Sequence, residues 1–465
     1  MTPQPSRSAD QPAPSRGEPR ELTLAVGAPA HGGHCVARPV DDPGGRVIFV
    51  RHALPGETVR ARLTEMTSRT WRADAVEILQ ASPDRVESVW PEAGPAGVGG
   101  GELAHVALDA QRTWKRWVLA DCLRRIGGQE VADAVASLPE AASGAAVPVE
   151  PMPTDAEAQA STSARRRALA GTATRTRVSL TVGEDGRPGM HAFRSGTVLP
   201  LRRLPLAVDA ITEIGLLERS RWRAHYRPGM RIEAIAPSGG EPVVLLDERL
   251  LTAQARSTGR RRVREVVDAS ALGLGELTYS VHAEGFWQVH VDAPRVLVER
   301  VVRGALGADL DGAAGSSVLE LYSGAGLFTL PLAALVGSGG EVVSLEGNEQ
   351  AVRDARRTLH DQPSARLASG RVSARSVREL AGSLTGGRPD VVVLDPPRQG
   401  AGREVIEAVG ALGAERIVLV ACDPAALARD LGTLLRSGYA LGSMSALDMF
   451  PHTHHFETIA VLERS

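Results

Sequence analysis

The chain has 465 residues, more than one ordinary hydrophobic core accommodates, so two or three domains are expected. Hydrophobic residues make up 43% and charged residues 23%, a globular balance, and no apolar run approaches the roughly 20 residues that span a bilayer. A net charge of -2 gives no global basic signal for nucleic acid.

Residues 1–20 are rich in Pro, Ser and Arg and lack the apolar stretch of a secretory leader. They read as a disordered tail on a cytoplasmic protein. Three cysteines, Cys35, Cys122 and Cys422, are too few for a disulfide framework, which fits a reducing compartment. From 21 to 85, short segments such as "GRVIFVRHALPGETVRARLTEM" alternate apolar and polar residues between Gly and Pro. They predict a small OB-like β-barrel, a type of module that often binds oligonucleotides. A purely structural β-domain fits the same pattern.

Residues 86–290 read as a mixed, mainly β central domain. It opens with a glycine-rich loop, "PEAGPAGVGGG", and a helix from about Asp109 to Ile126 with Trp114, Trp117, Val118 and Cys122 on its apolar face. Residues 132–159, rich in Ala and Pro, read as a linker or weakly ordered insertion. Segments such as "TRVSLTV" and "EPVVLLD" then predict strands. Lys115 is the only lysine, so positive charge is almost all arginine, which suits phosphate contact. Clusters occur at Arg165–Arg167, at Arg219, Arg221 and Arg223, and at Arg260, Arg261, Arg262 and Arg264. Each is either an RNA contact or a solvated face.

After Gln288 the pattern changes. Residues 291–465 alternate apolar strands ("SVLELY", "EVVSLE", "DVVVLDPP", "RIVLVAC") with helices, which predicts an α/β, Rossmann-like doubly wound sheet. Ligands of such sheets bind beyond the carboxyl ends of the strands. Four motifs fall there. In "LELYSGAGLFTLPLA", Gly324 and Gly326 follow a strand and open a helix, and Glu346 ends the next strand where an acid can hold ribose hydroxyls. Thr329 stands where a dinucleotide fingerprint has its third glycine. In "VVVLDPPRQGAG", Pro396 and Pro397 make a rigid ledge, Asp395 projects toward cofactor or base, and Arg398 reaches RNA phosphate or orients the loop.

In "IVLVACDPAALARDL", Cys422 ends a strand just before a helix, whose positive end is expected to lower the thiol pKa. In "LDMFPHTHHFETIAVL", His452, His454 and His455 lack a zinc-spaced partner set, so a substrate-facing loop with Glu457 as base is preferred to a metal site.

The motifs "ELYSGAGLFTLPLA", "LDPPRQG", "VACDPAALARDL" and "DMFPHTHHFE" closely resemble the RNA uracil-5-methyltransferase family, and the first barrel resembles the TRAM domain that many members carry. "GFWQVH" resembles the family's Phe-x-Gln-x-Asn segment, with His290 in place of Asn. The resemblance implies S-adenosyl-L-methionine as cofactor, contacted by Gln288, Tyr322, Gly324, Glu346 and Asp395. It implies Cys422 as nucleophile and Glu457 as general base. It implies an RNA partner, ribosomal RNA ahead of transfer RNA, and a monomer without membrane association. Family members with a TRAM domain commonly carry a four-cysteine iron–sulfur site; here Trp90, Val98 and Gly101 stand at ligand positions, so no cluster is expected.

Under this reading the Cys422 thiolate adds to carbon 6 of uracil and the resulting enolate takes the methyl group at carbon 5. Glu457 then removes the carbon-5 proton and Cys422 is eliminated. Two alternatives stand beside it: a methyltransferase acting on an exocyclic amine or a protein, and a non-catalytic RNA-binding protein.

Overall fold

The structure is a computed structural model that describes residues 21–141, 144–310 and 313–465. The expected tail, 1–20, lies outside the described residues.

The first unit is a closed barrel of strands β1 (Glu21–Ala30), β2 (His34–Pro39), β3 (Ile48–Arg51), β4 (Thr58–Met66) and β5 (Trp71–Gln80), in the order β1-β2-β3-β5-β4. Alternation along β1 turns Leu24 and Val26 inward and Thr23 and Ala25 to solvent. Inside, Val50, Val59 and Ala61 are fully buried beside Cys35. Arg51 and Asp74 form a buried two-pronged pair, with both nitrogen–oxygen distances 2.9 Å.

The second unit begins with α1 (Leu108–Cys122), which continues as a π turn, Leu123–Gly127. Trp114, Val118 and Cys122 follow a four-residue repeat and are buried, as expected. Trp117 is instead 55% exposed, because it falls off that stripe. Then come α2 (Gln129–Ala136), β6 (Val149–Pro151), α3 (Pro153–Ala160) and α4 (Ala164–Ala168). The six strands β7 (Arg177–Val182), β8 (Pro188–His191), β9 (Val198–Pro200), β10 (Arg231–Ile235), β11 (Val243–Leu246) and β12 (Arg249–Thr252) form one antiparallel sheet. Short helices α5 (Asp209–Thr212) and α6 (Ser220–Arg223) pack Ile211 and Trp222 into its core. A hairpin, β13 (Arg262–Asp268) and β14 (Glu276–His282), follows.

The remaining elements build the large sheet: α7 (Ala293–Leu306), β15 (Ser317–Leu321), α8 (Thr329–Val336), β16 (Glu341–Glu346), α9 (Glu349–Thr358), β17 (Ala365–Ser369), α10 (Ala374–Gly382), β18 (Val391–Leu394), α11 (Arg403–Gly410), β19 (Arg416–Ala421), α12 (Pro424–Arg436), β20 (Tyr439–Asp448) and β21 (Glu457–Arg464). Its eight strands run β17-β16-β15-β18-β19-β21-β20-β6. Strands β15 to β19 are mutually parallel, and β21 is antiparallel to β19. Helices cover both faces, so the strands are apolar throughout: Val391 and Val393 enter one core, Val392 and Leu394 the other.

The described residues of 132–159 are not a loose linker. Val149, Glu150 and Pro151 of β6 pair in parallel with Ala446, Leu447 and Asp448 at the sheet edge. Val131, Val135, Leu138 and Val147 are buried against that sheet, and a few well-spaced apolar side chains suffice despite an Ala- and Pro-rich composition.

Candidate active site

The sheet order reverses direction between β15 and β18, which opens a crevice at the carboxyl ends of these strands. Tyr322 follows β15, Asp395 follows β18 and Cys422 follows β19, while Glu346 closes β16. The Asp395 amide donates to Leu321 O at 3.3 Å, which draws the β15 and β18 ends together. Because β21 runs the other way, its first residue, Glu457, lies at the same edge. The ladder pairs Arg416 with Glu463 and Ala421 with Thr458, so one further step sets Cys422 opposite Glu457. Thr458 Oγ1 fixes that register by donating to Ala421 O at 2.8 Å.

The turn after β15 is held by Glu346, whose Oε2 accepts the Gly324 amide at 2.9 Å and whose Oε1 accepts the Asn348 amide at 2.6 Å. A carboxylate has about four acceptor sites, so two remain for ribose hydroxyls. A Cβ built on Gly324 would meet nothing within 4 Å, so open space lies above that backbone. Tyr322, half-buried, has φ of 65°, a conformation uncommon outside glycine, and donates its amide to Leu345 O. Gln288 is buried, six residues after the hairpin ends at His282. A glycine cradle with spare carboxylate and amide groups fits a nucleoside cofactor.

His290 does not join them. Its Nε2 lies 3.2 Å from Asp155 Oδ2, its Nδ1 accepts the Asp292 amide, and only 1% of it is exposed. His452 is also a strut, with Nδ1 against Gln111 Nε2 at 3.2 Å and its amide donating to Gln111 Oε1. His454 and His455 stack with ring centroids 3.9 Å apart. Burial, then the neighbouring His454 and Arg398, push His455 down to about 3, so it is neutral.

The expected depression of the Cys422 thiol is reversed. Burial, then the Glu457 and Asp395 carboxylates, push it up to about 12, with Arg398 opposing. The positive end of α12 is already taken by Asp423, whose side chain accepts the Ala426 amide at 2.8 Å. Glu457 is raised well above the usual carboxylate range by burial and by Asp395, again against Arg398. Asp395 is itself raised by desolvation and by Glu346.

Two further acids escaped the motif reading. Glu320, inside β15 and 1% exposed, accepts hydrogen bonds from Thr329 and Ser344. This explains Thr329 at the third glycine position: it ties α8 to the sheet. Asp430 of α12 accepts the Ala401 amide at 3.2 Å and holds the loop after the Pro-Pro ledge. An acid set among apolar residues of a strand or helix was the available signal for both.

At the glycine-rich loop, the Trp90 indole fills the space. A Cβ on Gly101 would lie 2.8 Å from Trp90 Cε3 and 2.7 Å from Ala93 Cβ, and Val98 is 3% exposed. Cys122 is buried on α1, away from this loop in sequence, and Cys35 sits in the barrel core.

Residues 273–465 match the model of the tRNA (uracil-5-)-methyltransferase family, and residues 18–76 match the TRAM domain. An uncharacterized RNA methyltransferase of Streptomyces avermitilis is 39% identical over 95% of this chain and 98% of its own length. The chain belongs to the RNA uracil-5-methyltransferase family. It is an S-adenosylmethionine-dependent RNA methyltransferase. A 23S rRNA (uracil(1939)-C(5))-methyltransferase, RlmD, of Acinetobacter baumannii is 29% identical over 94% of this chain and 92% of its own. The Pyrococcus abyssi tRNA (uracil-54, C5)-methyltransferase, solved with S-adenosyl-L-homocysteine, shares the fold at a TM-score of 0.62 and 20% identity, covering 94% of this chain and 99% of that one. Among the described residues, no helix of this methyltransferase is long and apolar enough to cross a membrane.

Proposed function

We propose that this methyltransferase modifies carbon 5 of a uridine in large-subunit ribosomal RNA through a covalent adduct with Cys422. The observation that carries the chemistry is the ladder register that sets Cys422 across from Glu457 at the cofactor edge of the sheet. The preference for ribosomal RNA rests on the RlmD relatives, which align along more than nine-tenths of their length.

Carbon 5 of uracil is a weak nucleophile. Cys422 gives up its thiol proton to solvent, the thiolate bonds to carbon 6, and the ring π pair moves onto the carbon-4 oxygen, which makes carbon 5 electron-rich. When bound, S-adenosylmethionine supplies the electrophilic methyl group for that carbon. Gln288, Tyr322, Gly324, Glu346 and Asp395 hold and orient the cofactor. Glu457 then takes the carbon-5 proton, the electron pair returns to the ring, and the bond from carbon 6 to sulfur breaks. An RNA base must be unstacked to enter, at a cost of a few kcal/mol, which the TRAM barrel and arginine contacts offset. An exocyclic-amine acceptor would leave the facing thiol and acid without a task.

RNA carrying 5-fluorouridine tests the route, since fluorine at carbon 5 cannot be removed as a proton. The intact enzyme should form a protein–RNA band that survives denaturing electrophoresis, and Cys422→Ala should form none. A band in Cys422→Ala, or turnover of ordinary RNA by that variant, would refute the adduct. Nucleoside mapping of ribosomal and transfer RNA from a deletion strain identifies the target, and loss of 5-methyluridine only from transfer RNA would overturn the ribosomal assignment.

A further inference from the structure

One arginine cluster has no task in the site described above. Arg262, Arg353, Arg356, Arg357 and His360 line an open hollow of about 540 Å³ with no acidic side chain among them. On a chain of net charge -2 this concentration of cations is not compositional background.

Spacing creates it. Arg353, Arg356 and Arg357 are separated by three and four residues, so α9 presents them as one stripe of exposed, mutually repelling charges. Arg262 forms the opposite wall from β13. Its Nε donates to Asp354 Oδ1 at 3.0 Å, and Asp354 is 1% exposed and also takes the His282 amide at 2.7 Å. The buried acid is therefore committed to joining hairpin and helix, while His360 has an exposed partner, Asp361, at 2.9 Å. Arg353 has an exposed partner, Glu349, at 3.6 Å. Arg356 and Arg357 have no ion pair among the described residues. Cations in a last helical turn complement the helix dipole, but that does not account for a second wall supplied by another element.

Helix α9 starts three residues after Glu346 and runs back along the sheet to the start of β17, so Arg356 and Arg357 in its last turn lie toward the end of the strands opposite the cofactor edge. At 1.5 Å per helical residue, Arg356 lies about 10 Å along α9 from its first residue, Glu349.

We propose that this hollow binds a backbone phosphate of the substrate RNA away from the nucleotide being methylated, so that Arg356 and Arg357 hold a flanking part of the RNA. This rests on the reading of an RNA uridine as substrate.

The test compares Arg356→Glu/Arg357→Glu with Arg356→Lys/Arg357→Lys, both at exposed positions. Methylation of ribosomal RNA from the deletion strain should show a KM raised tenfold or more in the glutamate variant, with kcat at saturation within about twofold. Binding of a fluorescent oligouridylate should lose about 0.7 from its log–log salt slope per phosphate contact removed. The lysine variant should regain most of the affinity. An unchanged KM and slope in a folded glutamate variant, or a loss that lysine does not restore, would overturn the proposal. Oligouridylate binding is read without turnover, so failure of the uridine chemistry appears separately, in the fluorouridine band.

Discussion

Glu457 stands across the β19–β21 ladder from Cys422, one step beyond the Ala421–Thr458 pair, and its Oε1 is buried without a hydrogen-bond partner. Facing residues of an antiparallel pair have Cα atoms about 4.5–5.5 Å apart. A planar base bonded to the sulfur therefore has an acid beside it on a rigid strand. Glu457→Gln removes the proton acceptor and keeps the shape. The expected result is attack and methyl transfer without release: turnover falls about 10²–10⁴-fold, the usual range for a lost general base. Methylated RNA should also accumulate as a denaturation-resistant complex, seen by electrophoresis and mass spectrometry. Free methylated product at the normal rate would remove Glu457 from the base role.

The raised thiol gives a second expectation. With Cys422 pushed up to about 12 by burial and by Glu457 and Asp395, iodoacetamide labelling of this residue should climb steadily with pH across the neutral range. Arg398 opposes the rise, so Arg398→Gln should slow labelling at fixed pH, tenfold for each unit of further shift. Bound S-adenosylmethionine carries a sulfonium charge and S-adenosylhomocysteine does not. Labelling, followed by peptide mapping, should be faster with the former. Equal rates with both would show that the cofactor's charge does not act on the thiol.

Lys115, the only lysine, is wholly buried and contacts Asp448 Oδ1 and Phe450 O. Asp448 ends β20, and Phe450 begins the turn that carries the chain to Glu457. Desolvation lowers the lysine pKa and the Asp448 charge opposes this, so the pair is held together by its own field. Lys115→Met strands a buried carboxylate and should cost about 3–5 kcal/mol, whereas Lys115→Met/Asp448→Leu should recover most of that. Denaturant melts of the single and double variants check this, and equal loss in both would refute the coupling.

The parts of this site that were legible in the sequence are those that short-range chemistry writes. A strand buried on both faces must be apolar throughout, so "VVVL" and "IVLVA" announced the sheet, and the turn residues after them announced its ligand edge. The direction of β21 left no such mark, although it decides that Glu457 meets Cys422. The thiol was misread for a similar reason. Helix onset is visible in "CDPAALARD", but Asp423 taking the helix end and two carboxylates converging from β18 and β21 are consequences of topology. His290 looked like a displaced cofactor ligand because its partner, Asp155, lies 135 positions away. β6 was hidden because three edge residues need little hydrophobicity.

Glu320 offers a test of the sheet beneath the cofactor. Burial, and then the Asp395 and Glu346 charges, push it up to about 7 from the ordinary 4.5, against the hydrogen bonds from Thr329 and Ser344. The folded state thus binds this proton more tightly than the unfolded chain. Its contribution to stability is fully present below about pH 4.5 and is lost as pH rises through about 7. The loss is at most roughly 3 kcal/mol, at 1.36 kcal/mol per unit. Glu320→Gln can accept the same two hydroxyls through its carbonyl and has no proton to lose. Its stability should match that of the unmodified protein near pH 4.5 and exceed it near pH 8.5, measured by denaturant unfolding at both. A stability difference that does not change between those pH values would mean that Glu320 is already ionised in the folded sheet.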